Sequence, residues 1–294
     1  MKCRIRIKHV LPLLLVLWGL AACSRPAKVI QPQARVSADA TLRLAQNLEL
    51  RQRWQDSNQS YESAIMQYQA FGEARGQIYA LAGLARIAYF KGETDEFTRF
   101  RSRMRYLVET VDPPSQSILN LLDIYVLESE GRYHEVIALA EDSYEYPIQI
   151  RMQMLSHRLQ AESYLNPGYV SASYTDLQRL ANRYRGVLKR DFSASPTVLA
   201  TAEYAMGYHS FLQRKYNDAM RHVERAIDLD YRFENFSGLA SGYWLKGRIH
   251  EALAETHAAR ANYVKAQDIF LNTQNPQMQK AVNEALKRLQ GDRP

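Results

Sequence analysis

The strongest constraint on the fold is a recurring spacing of small and aromatic residues, clearest between Glu203 and Leu229. Gly207 sits within the helical run Glu203, Tyr204, Ala205, Met206, Gly207, Tyr208, where a neighbouring helix can approach closely. Tyr216 follows nine residues later, after a polar turn at Gln213, Arg214 and Lys215. Ala219, Val223 and Ala226 then recur at spacings of four and three, which is one face of a second helix. The stretch reads as two antiparallel helices meeting over small residues.

Variants of this unit run along the chain. Residues 38–71 carry Leu44, Ala45, Trp54, Tyr61 and Ala64. Residues 78–111 carry Leu84, Ala85 and a Gly92-Glu93 turn, with Phe97 where a small residue is usual, and Asp112-Pro113-Pro114 ends them. Residues 117–150 carry Leu127, Gly131-Arg132-Tyr133 and Ala140, while Asp123 and Ile124 break the large-small pair. Residues 154–187 keep only Ala161, Tyr164 and the Asn166-Pro167-Gly168 turn. After a loop over 190–196, the unit at 200–233 is followed by one at 240–273, with Tyr243, Gly247, Ala259, Tyr263 and Ala266. Asn275-Pro276 ends that unit, and Met278 to Leu289 read as a closing helix. Most units start about 40 residues apart.

The pattern resembles the tetratricopeptide repeat, whose step is about 34 residues. It is best matched at 200–273 and weakest in the middle of the chain. The resemblance implies an all-α fold: a right-handed superhelical solenoid of about six helix pairs plus a C-terminal capping helix. It also implies a concave wall made by the first helix of each pair. The family's inner positions fall on Tyr79, Arg86, Tyr89, Tyr125, Arg158, Tyr204, Tyr208, Phe211, Trp244 and Arg248. Such an aromatic and basic set suits an extended or helical segment of a partner protein. The alternative for each ring is packing between adjacent units.

The first residues carry a separate signal. Lys2, Arg4, Arg6 and Lys8 precede the apolar run Leu11 to Leu20, which is short against the ~20 residues of a membrane span. Leu20-Ala21-Ala22-Cys23 looks like a bacterial lipobox, which implies a signal peptide over 1–22 and lipidation of Cys23. A plain signal peptide with a chance cysteine is the alternative. Ser24, rather than Asp, after the cysteine implies the outer membrane, facing the periplasm. Residues 23–37 read as the lipidated cysteine and a flexible tether, with Pro26 and Pro32 breaking helices, and 38–294 as the solenoid. Cys3 lies in the removed segment, so no disulfide is expected.

The formal charge is +7, and four of those positive charges belong to the leader, leaving three. Nucleic acid therefore loses most of its support as a partner. Arg99, Arg101, Arg103 and Arg105 split between two faces of a helix and read as solvated surface. His250-Glu251 lacks the second histidine of a zinc-protease helix, because residue 254 is Ala254. His134-Glu135 also lacks one, and no phosphate loop or nucleophile elbow occurs. The expectation is a lipid-anchored scaffold that binds envelope proteins in its groove. It has no catalytic residues, metal, cofactor or small-molecule substrate. A cell-wall lytic enzyme with a helical superhelical body is the alternative function.

Overall fold

The computed structural model describes residues 32–141, 143–191, 194–272 and 276–291. The residues expected to form the signal peptide, the expected lipidation site Cys23 and most of the expected tether lie outside them. Among the described residues there are thirteen α-helices and no strand. They are α1 (Gln33–Leu50), α2 (Trp54–Ala70), α3 (Ala74–Lys91), α4 (Thr94–Thr110), α5 (Gln116–Ser129), α6 (Tyr133–Ala140) and α7 (Ile148–Leu165). Then come α8 (Ala172–Leu188), α9 (Pro196–Leu212), α10 (Tyr216–Arg232), α11 (Phe236–Ala252), α12 (Thr256–Asn272) and α13 (Pro276–Gly291). Pro32 stops the backbone from being helical, as expected, but α1 begins directly after it. Residues 33–37 are therefore helical rather than part of a tether. No helix among the described residues is long and apolar enough to cross a membrane.

One turn, used repeatedly, fixes the step of the array. Arg53, Glu73, Glu93, Arg132, Lys215, Asn235 and Glu255 each donate their N–H to the carbonyl five residues back, at 2.9–3.0 Å. This closes a Schellman-type helix end, which needs a left-handed residue just before the donor. Gly72, Gly92 and Gly131 supply it at φ 73–74°. Gln52, Arg214, Glu234 and Ala254 supply it at φ 53–59°, at a cost of roughly 1–2 kcal/mol for a residue with a Cβ. Seventeen-residue helices and three-residue turns give a 20-residue half-unit, as at α10, α11 and α12. Two halves make the step of about 40 seen in the sequence. The unit at 117–150 departs from this rule, because α6 has only 8 residues.

The odd-numbered helices form an inner layer. Each of α1, α3, α5, α7 and α9 packs on the next odd-numbered helix as well as on its sequence neighbour. Helices α3 and α9 are accordingly buried on most of their circumference. The even-numbered helix α10 buries only Ala219, His222, Val223, Ala226 and Asp230. Aromatic rings of the even layer fit where the odd layer lacks a side chain. The Tyr61 ring of α2 occupies the space a Cβ on Gly83 of α3 would need, and the Tyr263 ring of α12 lies 2.5 Å from the Cβ position of Gly247 in α11.

Gly207 faces the second helix of its pair, as the sequence spacing predicts. A Cβ there would stand 2.9 Å from Val223 Cγ2 and 3.4 Å from the Ala219 carbonyl oxygen. Gly207→Leu should therefore destabilise the chain by about 1–3 kcal/mol through overpacking. Thermal unfolding checks this, and an unchanged midpoint would remove Gly207 from the packing interface.

Candidate binding surface: the odd-helix seam

Where successive odd-numbered helices meet, polar and aromatic side chains join them one to the next. Between α1 and α3, Arg86 holds Glu49 through two parallel hydrogen bonds, Nε to Oε1 at 2.9 Å and Nη2 to Oε2 at 2.8 Å. The Tyr61 hydroxyl donates to the same carboxylate. Burial first, then the Glu49 charge, keeps that hydroxyl protonated well above its ordinary pKa. Between α3 and α5, Tyr89 meets Tyr125 edge-on with ring centroids 6.1 Å apart, and its hydroxyl lies 2.5 Å from Ser129 Oγ.

Between α5 and α7, Glu128 Oε2 lies 2.6 Å from His157 Nδ1. Burial opposes a charged imidazole, but the Glu128 carboxylate outweighs it and lifts His157 above its ordinary value. Between α7 and α9, the Tyr164 and Tyr208 rings lie 5.3 Å apart, and Tyr164 also stacks flat on Tyr133 at 4.8 Å. Between α9 and α11, the Arg248 guanidinium lies over Phe211 at 4.7 Å and over Tyr208 at 5.9 Å. Arg288 of α13 reaches Glu251 of α11 at 3.3 Å.

The residues expected on the groove thus divide. Arg86, Tyr89 and Tyr125 come together at one part of the seam, and Tyr204, Tyr208, Phe211 and Arg248 at another. Tyr204 has Tyr208, Arg248 and Glu128 in its electrostatic surroundings, and burial raises its hydroxyl pKa. Tyr79 lies apart, against the first core cluster and near Arg75 and Asp112. Arg158 pairs with Glu162 on its own helix at 2.8 Å. Trp244 packs on Tyr263 of α12, with ring centroids 5.0 Å apart.

Sequence patterns passed over Glu49, Glu128 and His157, and marked Tyr133 and Tyr164 only as repeat landmarks and Arg288 only as part of a closing helix. A signal existed for two of the joints. Glu49 and Arg86 are 37 residues apart, as are Glu251 and Arg288, and a tyrosine follows each glutamate by 12.

Arg248 differs from the other seam arginines. Arg86 and Arg288 face carboxylates, whereas Arg248 makes no ion pair among the described residues. Its charge rests on aromatic faces, an arrangement worth about 0.5–1 kcal/mol at a partly exposed site. Beside it, Tyr164 remains 49% exposed, while Tyr208 is only 7% exposed and forms the floor.

Two hydroxyl–imidazole contacts occur nearby, and their polarity matters. Gln213 Nε2 donates to His209 Nε2 at 2.7 Å, so the ring proton is assigned to Nδ1, which donates to Ser163 Oγ at 2.8 Å. Ser163 in turn donates to the Leu159 carbonyl oxygen. Burial, then Lys215, lowers the His209 pKa and favours this neutral form. A histidine that donates to a serine is the reverse of a general base activating one. In the second contact, His222 Nε2 lies 3.1 Å from the Tyr174 hydroxyl and His222 Nδ1 lies 2.7 Å from Glu203 Oε2. That carboxylate is 1% exposed and also held by Arg185. Among the described residues no cluster of His, Cys, Asp and Glu could hold a metal ion. An open cleft of about 550 Å³ is lined by Trp54, Gln55, Asn58, Gln59, Glu62 and Lys91.

The chain matches no protein-family model and no curated protein.

The seam separates structural from spare arginines, and stability measurements can tell them apart. Arg86→Ala leaves Glu49 without its charged partner and should cost about 1–3 kcal/mol. Arg248→Ala removes only stacking and should cost less than about 1 kcal/mol. Urea titrations of the two variants test the contrast, and equal losses would contradict it.

Proposed function

We propose that this chain is a lipid-anchored scaffold of the Gram-negative outer membrane, facing the periplasm, which binds envelope proteins along the odd-helix seam and catalyses no reaction. Its form is a right-handed tetratricopeptide-like superhelix of six helix pairs, with α13 as the cap. Support comes from the alternation of inner and outer helices, the repeated turn and the lipobox-like Leu20-Ala21-Ala22-Cys23. The observation that carries the binding role is the group Tyr164, Tyr208, Phe211 and Arg248. A guanidinium without a carboxylate, laid on aromatic rings beside a half-exposed tyrosine, is a seat for an acidic side chain within an extended or helical peptide.

Two experiments test this. Pull-down from detergent-solubilised envelopes should capture a partner with the wild-type chain. Tyr164→Ala and Arg248→Ala should each weaken it by about 2 kcal/mol, roughly thirtyfold. The Arg248 contribution should fade as salt rises. Tyr208 is a poor probe, because truncating so buried a ring costs about 3–5 kcal/mol of stability. Capture that both variants leave unchanged would place binding elsewhere. For the anchor, Cys23→Ala should convert a membrane-bound chain into an unprocessed or soluble one. A wild-type chain with an unmodified N-terminal mass would rule lipidation out.

A further inference from the structure

The chain also touches itself across most of its length. Gln52, in the α1–α2 turn, donates from Nε2 to Ser237 Oγ in the first turn of α11 at 2.6 Å, across 185 residues of sequence. Next to it, Arg51 pairs with Glu234 of the α10–α11 turn. The α10–α11 side is braced from within, since Asn235 Nδ2 donates to Asp230 Oδ1 at 2.8 Å.

Three features make this contact thin. Arg51 and Glu234 are 47% and 49% exposed, so water and salt screen their attraction. The buried apolar residues on the two sides belong to separate clusters, one running from Ala38 to Ala161 and the others over α9 to α13. Both turns also carry backbone strain, Gln52 at φ 57° and Glu234 at φ 53°, where the turns at 72, 92 and 131 use glycine. Two side chains that make the contact thus stand on two of the strained positions.

The place of the contact gives it a consequence. Arg51 follows Glu49, the first joint of the seam, by two residues, and Ser237 shares α11 with Arg248. The contact therefore ties the turn beside the first joint of the seam to the opening turn of a helix that carries later seam residues.

We infer that the Arg51–Glu234 and Gln52–Ser237 contact is a reversible latch that closes the helical array on itself. Given the seam as the binding surface proposed above, the latch governs entry of a partner segment. When closed, it ties α1 to α11 and leaves the seam to be reached from its open edges. When it opens, the first helix pair swings away from the α10–α11 turn and the whole seam is presented to a long segment. The ion pair makes the balance sensitive to salt.

Small-angle X-ray scattering on the full chain tests the latch without any partner. Arg51→Glu places two acids opposite each other and should enlarge the radius of gyration, as should Glu234→Arg. The swap Arg51→Glu with Glu234→Arg should bring it back. Wild-type protein in 0.5 M NaCl should shift in the same direction as the single variants. Circular dichroism on each variant separates opening from unfolding, because opening preserves helical content. Unchanged scattering in both single variants and in high salt overturns the latch. Expansion that the swap does not reverse equally overturns the ion pair as its fastening. These outcomes are independent of partner capture, so a failed pull-down and a failed latch remain distinguishable.

Discussion

A tyrosine hydroxyl shared with a glutamate–arginine pair fastens three helices at once, and the chain uses this device at both ends. Tyr61 of α2 reaches Glu49 of α1, which is held by Arg86 of α3. Tyr263 of α12 reaches Glu251 of α11, which meets Arg288 of α13. Each ring lies against a glycine of the odd layer, so its body is packed while its tip is paired. Burial and the adjacent carboxylate keep both hydroxyls protonated, so each remains a donor. In this arrangement α13 stands where α3 stands. Its buried face carries Val282, Ala285 and Leu289, while Asn283, Glu284, Lys287 and Arg288 are exposed.

Much of this architecture was legible in the sequence, for a specific physical reason. Where packing is apolar, as from Gly207 through Tyr216 to Val223 and again from Gly247 to Tyr263, small and aromatic residues keep a helical period. Periodicity detects such faces. The middle of the chain is joined differently. Glu162 accepts hydrogen bonds from Arg158, Ser171 and Ser173, and Glu128 meets His157. A half-buried paired carboxylate looks like a surface residue to any hydropathy pattern, so units held by such pairs read as degenerate. The short α6 weakens the pattern further.

The candidate surface was legible as a face but not as a set of partners. Helical spacing puts Arg86 and Arg248 on the same side of their helices, which makes them look equivalent. What separates them is the residue one unit away: Glu49 stands opposite Arg86, while Phe211 and Tyr208 stand opposite Arg248. That difference depends on how units stack, and a single helix does not encode it. The arginine run in α4 follows the same logic. Arg101 turns inward to Asp123 with two bonds of 2.7 and 2.8 Å, while Arg99 lies over Phe100. Arg101 thus departs from the solvated surface expected of the whole run, because Asp123 of the next helix meets its face.

A wall whose charges are mutually satisfied cannot recruit by net charge. Breaking Glu49 from Arg86 to make a new ion pair would exchange one carboxylate for another, with little gain and a desolvation cost. On the proposed reading, recruitment depends on groups the fold leaves without a partner of opposite charge, and Arg248 is such a group among the described residues of the seam. Its rings already hold it in place, so a ligand carboxylate would meet a preorganised guanidinium and lose less entropy on binding. The same economy applies to the backbone. Glycine serves at 72, 92 and 131, whereas Gln52, Arg214, Glu234 and Ala254 accept left-handed strain, and the turns at Gln52 and Glu234 also make the long-range contact.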